Sequence, residues 1–132
     1  MSKKPEKQVV RDILQWSYLS GMWLHNIESR ATYSEKLKRY NRSGNAPAGY
    51  SDLSGIGAND EPVFIEVKAA GKLSTLKIHQ RLFLTLAIER GAFAVCADSV
   101  NLVDALYKHF TRLPTKKEKQ DFLYKTLDSI KQ

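Results

Sequence analysis

Between Pro62 and Ala69 the chain alternates as a strand does. Val63, Ile65 and Val67 fall on one face, and Phe64, Glu66 and Lys68 on the other. A second short segment, Asp52 to Ile56, precedes it across the turn-rich stretch Gly57-Ala58-Asn59-Asp60-Glu61, so the two are expected to pair as an antiparallel hairpin. That hairpin would bring Asp52 beside Glu66, placing two acids and a lysine around one point.

Other periodicities frame this hairpin. A helical pattern runs from Pro5 to about Ser20, with Pro5 suited to the first turn and Gly21 ending it. Glu6, Val10, Ile13 and Leu14 share one face of that helix. Glu6 reads either as a helix-start carboxylate favoured by the macrodipole or as an acid facing the site. Met22 to Ile27 alternates as a strand, and His25 reads there as a surface histidine without a partner at metal-ligand spacing. Ser29 to Ala48 breaks the pattern as a polar connection, with Ser34 to Tyr40 able to form a helical turn or two.

Downstream of the hairpin, Gly71 to Ser74 makes a turn. Ser74 or Thr75 then caps a helix reaching Arg90, stopped by Gly91. Leu76, Gln80, Phe83, Leu84 and Ala87 share its inner face, so the Gln80 amide needs a partner there. Gly91 to Ala97 reads as a buried strand, and strand–helix–strand order implies a right-handed parallel crossover. Helices follow over about Val100 to Phe110 and, from the capping box Thr115/Glu118, to about Ile130, with Pro114 between them. The expectation is one mixed α/β domain over residues 1–132, with a core at about 5–100 and a helical extension at about 100–132. A small central sheet would be flanked by helices in the order α-β-β-β-α-β.

Composition changes this picture only in charge. The chain's 132 residues suit one domain, and a hydrophobic share of 42% with a charged share of 27% is ordinary for a globular protein. No apolar run approaches the roughly 20 residues needed to span a bilayer, and no signal peptide opens the sequence. The single cysteine, Cys96, cannot form an internal disulfide, so a reducing cytosol is the expected setting. The net charge of +7 is uneven: residues 1–45 hold 9 Lys/Arg against 4 acids, and residues 101–132 hold 7 against 4. The centre, with 5 against 6, gathers the acids that matter. Basic flanks around an acidic pocket suit a nucleic-acid enzyme, because cations neutralise phosphates while carboxylates hold a metal. Lys36, Lys38, Arg39 and Arg42 alternate with Tyr33 and Tyr40, a pattern that serves phosphate contact and base stacking or simply a solvated connection. Lys72 and Lys77, after the second hairpin strand, are phosphate contacts or plain surface lysines on the same grounds.

Asp52 followed by Glu66-x-Lys68 resembles the D…ExK signature of the PD-(D/E)XK nuclease superfamily. Gly49-x-x-Asp52-Leu53 before it, Gln80 in the next helix and the Gly91–Ser99 strand resemble the virus-type replication-repair nuclease domain, VRR-NUC. The likeness covers about Glu6 to Ser99, and departs at Ser51, where the family's usual proline is missing. It implies a metal-dependent DNA endonuclease of restriction-endonuclease-like fold. Mg²⁺, replaceable by Mn²⁺, would be held by Asp52, Glu66 and the Val67 backbone carbonyl. Lys68 would orient or deprotonate the attacking water, Glu6 would hold a water or second metal, and Gln80 would position Lys68 or a ligand. It further implies a homodimer acting on branched DNA, similar to Holliday-junction resolvases, in a phage or bacterial host cytosol. Two readings stand beside it. One is a nucleic-acid-binding module that keeps the fold without catalysis, with Glu66 and Lys68 only an exposed salt bridge worth under about 1 kcal/mol. The other is an interaction subunit whose basic helix at Thr115 to Ile130 docks a partner.

Overall fold

The computed structural model describes residues 4–27, 31–34, 39–42 and 49–131, the two short middle stretches by their backbone alone. Helix α1 (Glu6–Leu19) begins after Pro5, whose extended backbone (φ −70°, ψ 161°) places its carbonyl over the amides of Gln8 and Val9. Pro5 is thus the residue before the first turn, not within it. The buried stripe of α1 is Val9, Ile13 and Ser17, with Val10 and Leu14 at its margin. Val9 therefore carries the packing that the sequence pattern gives to Val10, because the inward face is turned by one residue.

Four strands make the main sheet: β1 (Trp23–Asn26), β4 (Leu53–Ile56), β5 (Pro62–Val67) and β6 (Phe93–Ala97), in that spatial order. Strands β1, β4 and β5 form an antiparallel meander, and β6 joins β5 in parallel. A parallel neighbour needs a crossover, supplied by helix α2 (Ile78–Glu89). Between β1 and β4 the chain inserts a separate antiparallel pair, β2 (Ala31–Ser34) and β3 (Arg39–Arg42). The helical turn expected from Ser34 to Tyr40 is therefore wrong at both ends, where the backbone is strand. The β-branched and aromatic content of Ala31–Ser34 (Thr32, Tyr33) suits a ladder better than a helix.

Helix α2 also starts later than expected. Leu73–Thr75 forms a 3₁₀ turn, and the Thr75 hydroxyl bonds back to the Lys72 carbonyl, so neither Ser74 nor Thr75 caps α2. Helices α3 (Val100–Arg112) and α4 (Lys116–Asp128) do begin at hydroxyl caps, with Ser99 accepting from the Leu102 amide and Thr115 from the Glu118 amide.

Helices cover both sheet faces. Helices α1 and α3 pack together on one face, and α2 and α4 on the other, with β6 between α3 and α4. Every residue of β6 is buried, as a strand covered on both faces requires. Phe93, Tyr107 and Phe110 form an aromatic core at 5.0 and 5.1 Å between Phe93 and each of the other two rings. The C-terminal helices are layers of this core: Val103, Phe110, Leu123 and Leu127 are buried. No helix among the described residues is long and apolar enough to cross a membrane.

Candidate active site

The site is built where β4 and β5 leave their shared ladder. Their register pairs Leu53 with Ile65 and Ser54 with Phe64, and one further step sets Asp52 opposite Glu66. The Asp52 carbonyl accepts from Ile27 (2.7 Å) and its carboxylate Oδ2 accepts from the Val67 amide (2.8 Å). Asp52 is thereby fixed by backbone groups of two neighbouring segments. Ser51 just before it is buried, and its hydroxyl donates to the Leu53 carbonyl at 3.1 Å. A proline there could not make that bond.

Glu66 and Lys68 face α2 from the same side of β5, and only 3% and 8% of their surface is exposed. The exposed salt bridge is therefore overturned. Their charged atoms also stand 3.9 Å apart, too far for a close ion pair, and the Gln80 amide sits between them. Gln80 Nε2 donates to Glu66 Oε1 at 2.9 Å, while Gln80 Oε1 accepts from Lys68 Nζ at 3.0 Å and from the Lys77 amide at 2.9 Å. One side chain thus joins acid, lysine and the open N-terminus of α2. The donor set fixes which way the amide points, since its oxygen faces two N–H groups.

The other carboxylate oxygen, Glu66 Oε2, is buried without any hydrogen-bond donor. Burial, then the charge of Asp52, pushes the Glu66 carboxyl up to about 8, against the pull of Lys68, and the charge of Glu6 adds to the rise. With both acids ionised neither can donate, whereas a proton on Glu66 is stabilised by the Asp52 carboxylate. Glu6, in the first turn of α1, therefore lies within electrostatic reach of the pair.

Among the described residues no three His, Cys, Asp or Glu side chains group to hold a metal ion. The available donors are two carboxylates, one carrying a buried oxygen in need of a positive partner. That set fits a hard cation that takes oxygen ligands and keeps several waters, such as Mg²⁺ or Mn²⁺, and does not fit a closed zinc site. Cys96 is Glu66's partner in the parallel register, but burial pushes its thiol up to about 12 and leaves it no nucleophile.

Gly49 positions the strand entry. Its φ of +83° and its approach to the His79 carbonyl, where a Cβ would collide, admit only glycine. An aromatic group at this site escaped the sequence reading. Tyr50, Phe64 and Phe83 meet with ring centroids 4.8, 5.3 and 5.9 Å apart, each within three residues of Asp52, Glu66 or Gln80. The alternation places Phe64 on Glu66's face, but only the tertiary fold adds Tyr50 and Phe83.

Lys72 and Lys77 are exposed beside the start of α2. Arg39 and Arg42 lie on β3, with their side chains outside the described structure, and Lys36 and Lys38 lie outside the described residues. His25 is exposed against Trp23 at 4.9 Å. Comparison with protein-family models, with curated proteins and with solved structures gave no match.

Proposed function

We propose that this protein is a divalent-metal-dependent DNA endonuclease with a PD-(D/E)XK core of the VRR-NUC kind. The observation that carries the reading is the buried Glu66 oxygen without a donor, set opposite Asp52 and tied through Gln80 to Lys68. A meander followed by a crossover helix and a parallel fourth strand is compatible with that core. Asp52, Glu66 and the Val67 carbonyl would hold Mg²⁺ or Mn²⁺. The ion, when bound, supplies charge neutralisation at the phosphate and lowers the pKa of a bound water. Lys68 brings a cation to the developing charge and holds the attacking water in place. Gln80 keeps Lys68 pointed at the acids, and Glu6 adds a further negative charge that draws positive charge to the pair. Lys72 and Lys77, with the basic stretch at Lys36, Lys38, Arg39 and Arg42, would take the DNA backbone. The substrate class is branched or structured DNA, cut by a homodimer in a bacterial or phage-host cytosol.

The test is cleavage of labelled junction, flap, duplex and single-stranded DNA with Mg²⁺, with Mn²⁺ and with EDTA. Asp52→Asn and Lys68→Ala are expected to cut about a hundred-fold more slowly or worse, while keeping the wild-type circular dichroism spectrum. DNA bound equally by all three proteins and cut by none would replace the enzyme with a binding module.

A further inference from the structure

A second charged cavity lies at the far end of β6 from Glu66. It has a volume of about 450 Å³ and opens between the β4–β5 turn, the end of α2, the last turn of α3 and the first turn of α4. That size is within the range of small-ligand pockets, roughly 300–1,000 Å³. Its floor is apolar, formed by Ala92 and Phe110, both almost fully buried. Three cations, Arg90, Lys116 and Lys119, line its walls against one carboxylate, Glu61.

The carboxylate lowers the net charge of the lining but, among the described residues, forms no ion pair with those cations. Glu61 Oε1 accepts from the Tyr107 hydroxyl, and Oε2 accepts from the Asn59 amide at 3.1 Å. No ion pair among the described residues joins Glu61 to Arg90, Lys116 or Lys119. Lys119 is held in place by the Leu113 carbonyl and by the Phe110 ring, 5.5 Å beneath its ammonium. The Lys116 arm crosses Gly91, where a Cβ would lie 3.4 Å from its Cε and 3.9 Å from its Nζ, and that ammonium has no hydrogen-bond or ion-pair partner among the described residues. Arg90 spends one nitrogen on the Leu86 carbonyl at 3.2 Å and keeps the rest of its fork. Like charges converging on a lined cavity repel, and an anion between them removes that cost.

We infer that this cavity binds a phosphate group, held by Arg90, Lys116 and Lys119 over the Phe110 floor. Three donors of one sign match the spread charge of phosphate oxygens. The phosphate belongs either to a free mononucleotide or to a nucleic-acid strand. This site is independent of the proposed cleavage centre and does not rest on it.

The test is an amide-resolved NMR titration of the full chain in EDTA, so that no divalent ion occupies the acid pair. The probes are inorganic phosphate, a deoxynucleoside 5′-monophosphate and a blunt DNA duplex, with chloride at matched ionic strength as reference. The expected result is saturable shifts at Gly91, Ala92 and Thr111. Arg90→Ser/Lys116→Ser weakens them roughly ten-fold or more, and Lys116→Arg keeps them. Saturation by the monophosphate identifies a free ligand. If only duplex binding responds, and its log–log salt slope falls by about two in the double variant, the ligand is a strand backbone. Shifts that track ionic strength alone, or that persist unchanged in the double variant, would overturn the inference.

Discussion

At the scale of single residues, Glu66 carries the most consequence. Its carboxyl, ordinarily near 4.5, is held at about 8 by burial and by Asp52. Between those values the folded chain keeps a proton that the unfolded chain has lost, so metal-free stability falls as pH rises from about 4.5 to about 8. The expected loss is on the order of a few kcal/mol, and Glu66→Gln should abolish the slope. Thermal unfolding of both proteins across that range measures it, and a wild type as stable near pH 8 as near pH 5 would contradict it. Proton and metal compete for the same oxygens, so Mg²⁺ binding should release up to about one proton when measured below that pKa. Gln80 is the second such residue. Gln80→Leu removes the bond to Glu66, the bond to Lys68 and the cap on Lys77 together, and should cost about 1–3 kcal/mol in urea unfolding. On the proposed reading it also slows cleavage more than it weakens DNA binding.

Secondary elements hold the site through a few long-range polar contacts. The β4–β5 turn is pinned to α3 by Tyr107, whose hydroxyl accepts from the Ala58 amide at 2.9 Å and donates to Glu61. Burial and the Glu61 bond both hold that phenol protonated, with its pKa raised. Tyr107→Phe keeps the ring contacts with Phe93 and Phe110 but leaves both turn groups without this partner. We expect a loss of about 1–2 kcal/mol by chemical denaturation, with faster amide exchange confined to residues near the turn. Alternation alone made this hairpin legible, because a period of two with a Gly/Asn/Asp-rich break has few other folds. The start of α2 was not legible, because the cap is an amide three residues inside the helix and not the hydroxyl in front of it.

For the molecule as a whole, the C-terminal helices decide what can be removed. Arg81 of α2 donates to the Leu127 and Ile130 carbonyls (2.8 and 2.9 Å), and Gln120 of α4 donates to the Ile88 and Glu89 carbonyls (3.1 and 3.0 Å). Leu123 and Leu127 are buried with them. Residues 114–131 therefore pack onto the core through α4. Deleting them should abolish the cooperative unfolding transition, whereas reversing exposed charges such as Lys117 and Lys125 should leave it within about 0.5 kcal/mol. A truncated chain that still melts cooperatively near the wild-type temperature would show the opposite.

By itself the sequence determined the four strands of the main sheet, the helices apart from the start of α2, the parallel fourth strand and the acid–acid–lysine order, because side-chain periodicity and capping chemistry are local. Only tertiary structure decided that Glu66 and Lys68 are buried, that Gln80 joins them, and that Glu66 keeps one oxygen without a donor. Those facts depend on which helix covers which sheet face. Likewise the convergence of Arg90, Lys116 and Lys119 on one cavity follows from packing α4 across the end of α2, between residues that no sequence spacing relates.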